Sequence, residues 1–384
     1  MKRIVLSLLV VLILALTACA GQPTPPPTQT PSTPTEPFPT GRFNGNGQSI
    51  QYSPDGTFEF YTAASKIIPT FTGKYTVDGN LITSENPGEN DPKCQGKATY
   101  QWLFDNGVLT FSPTADDPCK GRREANADTY VYDAAYLPEI TINAGDFSYL
   151  APVKLRAGWV KVNLKNTGNE PHHVQFMRLN DGVTVSQFED ALKHAEGPAL
   201  AMTRQMGGVG AIAPGMESSA VINLPAGEYV ILCLVPSPSD GVAHHAKGMI
   251  RSLTVDPANG HGNEPSANLT IHLKDFVFDM PDTLPAGPLS IQVINDGPEP
   301  HELNILQLAE GKTMNDVIQF LNGAGGPPPF VPVGGMNGLD IGLTGYAEIN
   351  LDPGTYIVIC NIPSPKTEGR PHFSLGMIKE FRVQ

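Results

Sequence analysis

Cysteine, histidine and methionine recur in the same order at two places in this 384-residue chain. The segment around Cys233 has the sequence LPAGEYVILCLVPSPSDGVAHHAKGMI, and the segment around Cys360 has the sequence LDPGTYIVICNIPSPKTEGRPHFSLGMI. Thiolate, imidazole and thioether side chains are the ligands that soft and borderline transition metals prefer. The repetition therefore predicts that a set of metal ligands is duplicated, and not only a fold.

A second pair of matching segments lies upstream of the first. NTGNEPHHVQF around His172 aligns with NDGPEPHELNI around His301. Four potential ligands then recur, with offsets of 129 between His172 and His301, 127 between Cys233 and Cys360, and 128 both between His244 and His372 and between Met249 and Met377. Offsets that agree within two residues indicate two homologous domains in tandem.

Two of the histidines in the first repeat have a histidine neighbour, so the ligand has to be chosen. His172 is favoured over His173 because it stands in the same Glu-Pro-His sequence as its counterpart. His244 keeps the four-residue gap to methionine that His372 has, whereas His245 matches the cysteine-to-histidine gap of the second repeat better. The sequence favours His244 and leaves His245 open.

The elements around these residues are mostly extended strands. Both repeats open with a β segment, at 140–150 and 269–280, and continue with alternating apolar and polar residues. Helical spacing of apolar residues appears once in each repeat, between the first histidine and the cysteine: Val185, Phe188 and Leu192; Met314, Val317 and Phe320. Each repeat is therefore expected to be a small Greek-key β-sandwich with one inserted helix.

The order of these features resembles the cupredoxin family with type 1 copper sites. A histidine follows an N-x-G-x-x-P turn, a strand ends in cysteine, and His-x4-Met precedes the last strand, twice over about 245 residues. The resemblance implies copper as the cofactor, one ion per domain, and one-electron transfer as the chemistry. It assigns the ligands His172, Cys233, His244 and Met249 to one site, and His301, Cys360, His372 and Met377 to the other. Members of the family tend to have asparagine after the first histidine, where this chain has His173 and Glu302.

Catalytic copper proteins have additional histidines that this chain lacks. Multicopper oxidases resemble one another in His-x-His pairs and a His-Cys-His run, and copper nitrite reductases have a histidine beside the type 1 cysteine. Here Cys233 lies between two leucines, and Cys360 between isoleucine and asparagine. Neither the hydrolase elbow G-x-S-x-G nor the zinc motif H-E-x-x-H is present. We therefore expect an electron carrier and not an enzyme.

The N-terminus has the features of an export signal. Lys2 and Arg3 precede the short apolar run of residues 4–16, and Leu16-Thr17-Ala18-Cys19 resembles the lipobox of bacterial lipoproteins. The resemblance implies that residues 1–18 are removed and that Cys19 is lipidated. Residues 19–39 then form a Pro/Thr-rich linker that cannot bury a core. The protein is expected outside the cytoplasm, anchored to the bacterial cell membrane.

The segment 40–135 is predicted to be a small antiparallel β-barrel. Short alternating strands are separated by turn sequences such as Pro54-Asp55-Gly56, and the whole weakly resembles lipocalin-like modules. Cys94 and Cys119 both lie here, and an oxidising compartment favours a disulfide between them. A filled barrel that acts as a spacer or docking module is favoured over one that holds a ligand.

The predicted organisation is all-β: this barrel followed by cupredoxin-like domains at 136–257 and 265–384. The formal net charge of −13 makes nucleic acid a poor partner. The expected function is membrane-anchored electron transfer with a redox protein that the sequence does not identify. Two alternatives remain: a metal-free module for binding or adhesion, and a protein for copper storage or delivery.

Overall fold

The computed structural model of this chain describes residues 37–62, 69–86 and 91–384. The predicted signal peptide, the lipidation site Cys19 and nearly all of the linker lie outside these residues. No helix among the described residues is both long and apolar enough to cross a lipid bilayer. The expected all-β class is confirmed, because a closed antiparallel barrel is followed by a large curled sheet.

The first folded segment is an eight-stranded barrel that closes where its first strand pairs with its last. A short helix, α1 (Lys120–Asn126), precedes the last strand, and a disulfide joins Cys94 to Cys119 as predicted. The strands are β1 (Gly41–Asn44), β2 (Gln48–Tyr52), β3 (Thr57–Thr62), β4 (Phe71–Asp78), β5 (Leu81–Glu85), β6 (Ala98–Asp105), β7 (Val108–Pro113) and β8 (Tyr130–Tyr132).

Aromatic side chains fill the inward-facing positions of the barrel. Phe38 contacts Tyr52 and Trp102 with ring centroids 4.9 and 5.2 Å apart, and Phe43 and Tyr130 are fully buried. Such edge-to-face packing is the arrangement that aromatic quadrupoles favour. The packing agrees with the filled barrel favoured above, while the likeness to lipocalins stays a prediction.

The remaining strands form two sets, which we call the first unit and the second unit. The first unit comprises β9 (Glu139–Gly145), β10 (Ser148–Leu150), β11 (Lys154–Asn166), β12 (His172–Leu179), α2 (Val185–His194), α3 (Glu196–Leu200), β13 (Thr203–Ile212), β14 (Glu217–Leu224), β15 (Gly227–Leu232) and β16 (Ile250–His261). The second unit comprises β17 (Leu269–Lys274), β18 (Val277–Asp279), β19 (Thr283–Leu284), β20 (Gly287–Asn295), β21 (His301–Leu308), α4 (Met314–Leu321), β22 (Phe330–Leu339), β23 (Thr344–Leu351), β24 (Gly354–Ile359) and β25 (Ile378–Val383).

Both units follow the same pairing scheme. In the first, β12 lies between β13 and β15, while β11 pairs with β9 and β14. In the second, β21 lies between β22 and β24, while β20 pairs with β17 and β23. The curled sheet thus forms two layers in each unit, joined at one edge by β16, which pairs with β11 and β15, or by β25, which pairs with β19 and β24; the layers agree with the predicted β-sandwiches.

The predicted helices form where the apolar spacing placed them. Both α2 and α4 begin with a capping box, formed by Thr184 with Gln187 and by Thr313 with Asp316. The first unit has an additional short helix, α3, which the sequence did not predict. It has no side-chain cap, and its buried residue is Ala199.

The two units share both sheets through antiparallel pairs of corresponding strands. In β13 and β22, Val209 lies opposite Met336, and in β14 and β23, Ala220 lies opposite Ala347. Each pair is separated by 127 residues (336 − 209 and 347 − 220), which is also the offset of the two cysteines. Corresponding residues that face each other define an approximate two-fold axis between the units.

This antiparallel arrangement directs the ligand-bearing ends of the two units in opposite directions. His172 pairs with Ile212 at the end of β13, and His301 pairs with Leu339 at the end of β22. Across the shared sheet, however, Leu339 lies opposite Met206, six residues before Ile212. Six residues of strand correspond to about 20 Å, so the two candidate sites are well separated along the sheet.

The barrel contacts the first unit at the end remote from its candidate site. The guanidinium of Arg42 lies between the rings of Tyr61 and Tyr136, 4.2 and 4.3 Å from their centroids. Glu59, which is buried in the barrel, forms an ion pair with Arg156 at 2.7 Å. These contacts lie near the start of β11, which pairs with the last part of β16, whereas the candidate site lies where β16 begins.

Candidate metal centres

The loop between β15 and β16 places three of the predicted ligands of the first site. Cys233 follows β15, His244 begins a 3-10 helix (His244–Lys247), and Met249 directly precedes β16. The backbone N–H of Cys233 donates to the carbonyl of Met249 at 3.1 Å, which closes the loop. His172 enters from the first position of β12, a neighbour of β15.

The second site is built in the same way. Cys360 follows β24, His372 begins a 3-10 helix (His372–Leu375), and Met377 directly precedes β25. The N–H of Cys360 donates to the carbonyl of Met377 at 3.2 Å. His301 is the first residue of β21. Equivalent strand ends therefore position equivalent side chains in both units.

In each unit two imidazoles and one sulfur converge on a common point. His172 Nδ1 lies 3.0 Å from His244 Nδ1, and the latter lies 3.5 Å from the sulfur of Cys233. The corresponding distances in the second unit are 3.0 Å between the Nδ1 atoms and 3.3 Å from Nδ1 of His372 to the sulfur. The donor atoms of each trio all lie within 4.8 Å of one another, and all six side chains are fully buried.

A carboxylate contacts the outer nitrogen of each of these four histidines. The pairs are Asp146 with His172 at 3.2 Å, Glu170 with His244 at 2.8 Å, Asp275 with His301 at 2.8 Å and Glu299 with His372 at 3.0 Å, always at Nε2. An imidazole that donates its Nε2–H to a carboxylate keeps its lone pair on Nδ1. This is the arrangement by which proteins fix the orientation and tautomer of metal-bound histidine.

The trios therefore fit a bound cation. Burial lowers the pKa of His172 and His301, which favours neutral rings. Two neutral rings with protons on Nε2 present two lone pairs to each other across 3.0 Å, and neither can donate. A positive ion between the nitrogens and the sulfur would satisfy all three donors at once. Imidazole nitrogen with thiolate is the donor set expected for copper or zinc.

The sulfur of each cysteine is buried but is contacted by peptide N–H groups. Burial raises the pKa of the Cys233 thiol to about 12, while backbone N–H groups of His173 and Val235 act in the opposite direction. Burial likewise raises the pKa of Cys360, with the N–H groups of Glu302 and Ile362 opposing it. A buried thiol of this kind loses its proton when a cation replaces it.

The residue after the first histidine contacts the cysteine loop in both units, but its chemistry differs. His173 accepts the N–H of Leu234 at Nε2, at 2.6 Å. Glu302 accepts the N–H of Asn361 at 2.7 Å and the side-chain amide of the same residue at 3.0 Å. Burial raises the pKa of Glu302 and lowers the pKa of His173 to about 4. Both side chains thus tie the strand that begins with the first histidine to the residue that follows the cysteine.

An aromatic ring from the turn after β9 or β17 covers the second histidine of each trio. Phe147 lies 5.2 Å from His244, and Phe276 lies 4.9 Å from His372, centroid to centroid. Both phenylalanines are half-buried. Each trio is therefore shielded by its own unit on the side of this histidine.

Two further predictions concern residues next to the trios. His245 is also buried, but its Nε2 contacts Glu196 at 3.0 Å, so His244 and not His245 joins His172 and Cys233. Met249 and Met377 are fully buried beside the cysteine loops. Their role as axial ligands stays a prediction, as does metal binding by the other six residues.

Sequence reasoning missed the four carboxylates and the two covering phenylalanines, although the signal was present. Asp-Phe recurs at 146–147 and 275–276, and Glu-Pro-His recurs at 170–172 and 299–301, each with the offset of 129. The segments 140–150 and 269–280 were predicted as single extended stretches. Each is instead two strands with a turn between them, and that turn carries the Asp-Phe pair.

No protein-family model and no curated protein sequence matches the chain. Among solved structures it is similar to auracyanin from Roseiflexus castenholzii, at 23% identity over 31% of this chain and 97% of that one, with a TM-score of 0.22. It is also similar to auracyanin A, a "blue" copper protein from Chloroflexus aurantiacus, at 20% identity over 32% and 100%, with a TM-score of 0.23. A copper nitrite reductase from Nitrosomonas europaea matches at 12% identity over 65% and 94%, with a TM-score of 0.19.

Proposed function

We propose that this protein carries single electrons through two type 1 copper sites, one in each unit. The observation that supports this most directly is the convergence of two Nδ1 atoms on each cysteine sulfur, with both Nε2 atoms tied to carboxylates. A His₂Cys copper site with a weak axial methionine passes between Cu(I) and Cu(II) with little rearrangement. His172, Cys233 and His244, with Met249 as axial ligand, would hold one ion, and His301, Cys360, His372 and Met377 the other.

The rigidity of the surroundings supports a carrier more than a catalyst. Every histidine and cysteine of the two trios is fully buried, and each histidine is held at its outer nitrogen. Neither cysteine has a histidine neighbour in the sequence that could reach a second metal. A site that accepts and returns an electron needs no open coordination position, whereas a metal site that binds substrate does.

We further propose that the protein works outside the cytoplasm on a lipid anchor at Cys19. The Pro/Thr-rich residues 19–39 would form the tether, the lipocalin-like barrel 40–135 the spacer, and 136–257 and 265–384 the two copper domains. The contacts of the barrel with the end of the first unit opposite to its trio support the role of spacer. The tether and barrel would hold the first site away from the membrane, toward a redox partner.

The test is the visible spectrum and copper content of the purified chain after addition of Cu(II) and desalting. The proposal predicts two coppers per chain and an intense thiolate-to-copper band. Ascorbate should bleach this band, and reoxidation should restore it without loss of copper. A double variant, Cys233→Ala with Cys360→Ala, provides the colourless control.

Other outcomes would favour the alternatives. A folded, colourless protein without copper would favour a metal-free binding or adhesion module. Copper that leaves to a moderate chelator on reduction would favour storage or delivery. Full burial of the trios argues against ready release, and the facing lone pairs argue against a metal-free site.

A further inference from the structure

His173 links the first trio to the second unit. Its backbone N–H approaches the sulfur of Cys233, and its ring accepts the N–H of Leu234, the next residue, at 2.6 Å. The ring is buried, with 6% of its surface exposed. His173 therefore holds the end of β15, from which the cysteine enters the site, by both its backbone and its side chain.

The other nitrogen of this ring contacts a residue 164 positions away. Nδ1 of His173 lies against the side-chain amide of Asn337, which belongs to β22 and is 1% exposed. Because Nε2 accepts a hydrogen bond, a neutral ring must carry its proton on Nδ1. The amide nitrogen of Asn337 is the atom placed against Nδ1, and two N–H groups cannot bond to each other, so the amide has to be turned to let its oxygen accept Nδ1–H.

Glycines in the shared sheet leave room for this contact. Strand β13 lies between β12, which carries His173, and β22, which carries Asn337. Three residues of β13 are glycines, so no side chain of this strand stands between the two: Gly207, Gly208 and Gly210. A Cβ at Gly208 would lie 2.0 Å from a backbone carbonyl oxygen of β12, and one at Gly210 would lie 2.6 Å from the amide oxygen of Asn304. Gly208 thus lets β13 lie against β12 of its own unit, and at Gly210 the two units approach too closely for any larger residue.

The second trio has no equivalent contact. In the alignment of β13 with β22, the position of Asn337 is occupied by Gly210, which has no side chain. Glu302, the counterpart of His173, is held by Asn361 and Asn304, both from its own unit. Asn304 in turn accepts the backbone N–H of Ala211 at 3.2 Å. Among the hydrogen bonds of the described residues, the residue after the first histidine is thus held by a side chain from the other unit at the first trio, and by side chains of its own unit at the second.

We propose that Asn337 is a positioning residue of the first metal centre, supplied by the second unit. By accepting the Nδ1–H that the contact with Leu234 imposes, it holds the ring of His173 in its orientation, and through Leu234 it holds the strand end that carries Cys233. The inference rests on the proposed copper function. It makes the dependence one-way, because the first centre needs a side chain of the second unit and the second centre needs none of the first.

The first part of the test uses the metal-free full chain with ¹⁵N-labelled histidine. Long-range ¹H–¹⁵N spectra should show His173 as the Nδ1–H tautomer. Asn337→Leu should leave that proton without an acceptor, which shifts the Nδ1–H resonance upfield and speeds its exchange with solvent, while Asn337→Asp, which keeps an acceptor oxygen, should restore both. Asn304→Leu, another buried amide at the same interface, should leave His173 unchanged. An Nδ1–H resonance and exchange rate that are unchanged in Asn337→Leu would overturn the proposal.

The second part measures copper affinity by chelator competition in chains with one centre. In the Cys360→Ala background, which retains the first centre, Asn337→Leu should lower affinity about tenfold, and Asn337→Asp should recover most of it. In the Cys233→Ala background, Asn337→Leu should change affinity less than twofold. Equal losses in both backgrounds would show general damage at the interface and overturn the proposal.

Failure of the copper function would be visible separately. If the parent chain shows no thiolate-to-copper band, both the proposed function and the role of Asn337 at a metal centre are wrong. If the band is present and Asn337→Leu leaves the first centre unchanged, only the inference about Asn337 falls.

Discussion

The two trios share one donor set but differ in what surrounds the sulfur. Beside Cys233 stand His173 and the hydroxyl of Tyr149, which lies within hydrogen-bonding reach of the sulfur and of the His173 carbonyl. Beside Cys360 the corresponding positions hold Glu302 and Phe278. The first sulfur thus has a neutral ring and a hydroxyl nearby, the hydroxyl donating to the His173 carbonyl, whereas the second has a carboxyl group and a hydrocarbon ring.

The difference in surroundings predicts which of the two sites would have the higher reduction potential. At pH values where Glu302 is ionised, its negative charge near the metal would stabilise Cu(II), the more highly charged state, and lower the reduction potential. The Tyr149 hydroxyl would raise the potential by turning from the His173 carbonyl to donate to a metal-bound thiolate, since contacts to a ligand atom are among the means by which proteins tune metal centres. Both differences act in the same direction, so the first site should have the higher potential. Duplicated ligands can therefore serve a pair of sites with unequal potentials.

The largest expected effect comes from removing one sulfur at a time. Cys233→Ala and Cys360→Ala should each remove one copper and its share of the thiolate-to-copper band, because the thiolate is the strongest ligand of its trio. Copper content and the visible spectrum measure this directly, and the two residual spectra would show the two sites separately.

Loss of both coppers from either single change would contradict two independent sites. Unchanged copper content after both changes together would end the type 1 assignment. Identical residual spectra and potentials would contradict the asymmetry drawn above.

The next effect concerns the carboxylates on the second histidine of each trio. Glu299 is 2% exposed and also contacts Lys366 at 3.0 Å, whereas Glu170 is 20% exposed. Glu170→Gln and Glu299→Gln should each lower copper affinity at their own site by about 10- to 100-fold. The loss should be larger for Glu299→Gln, because the buried contact is less replaceable by water.

Chelator competition in the single-cysteine backgrounds would measure these affinities. The matched control is each substitution in the background that lacks its own site, where affinity should not change. A larger loss for Glu170→Gln would contradict the ranking by burial.

Glu302→Gln tests the charge difference itself. The amide keeps the shape and an acceptor for the N–H of Asn361 but removes the charge. The potential of the second site should rise, by about 59 mV for a tenfold change in the one-electron equilibrium. Burial raises the pKa of Glu302, so its charge appears only as pH rises, and the potential of the wild-type second site should fall with rising pH.

Redox titration at several pH values would measure this, with the first site of the same molecule as the internal control. A potential of the second site that does not depend on residue 302 at any pH between 5 and 9 would remove the charge argument.

Much of this structure could be predicted from the sequence, because the features repeat. The strand alternation, the helices α2 and α4 and the convergence of His172, Cys233 and His244 follow from local patterns with fixed offsets. The choice between His244 and His245 needed the fold, since only the turn of the 3-10 helix directs one ring to Cys233 and the other to Glu196.

The contacts between units could not be predicted in this way. Asn337 lies 164 residues from His173 in the sequence. Because the aligned position in the first unit is Gly210, comparison of the two repeats gives no indication that residue 337 contacts a site. The Asp-Phe pairs were likewise invisible as parts of the site, because a turn within a predicted strand brings them to the histidines. Long-range pairing of β13 with β22, which no local pattern encodes, decides the first case, and a short hairpin within each predicted strand decides the second.

The smallest expected effect exchanges the hydroxyl near the sulfur between the sites. Tyr149→Phe should lower the potential of the first site, and Phe278→Tyr should raise that of the second, each by a few-fold change in the one-electron equilibrium, about the strength of one modest hydrogen bond. Both side chains are buried at corresponding positions of β10 and β18, so each variant places in one unit a ring that the other already accommodates. The pair of potentials, measured in the single-cysteine backgrounds, should converge in either variant and approach each other most closely in the double variant. If the difference between the two potentials grows in either variant, or if both potentials shift in the same direction, the substitution acts by disturbing the packing and not by changing a contact with the sulfur.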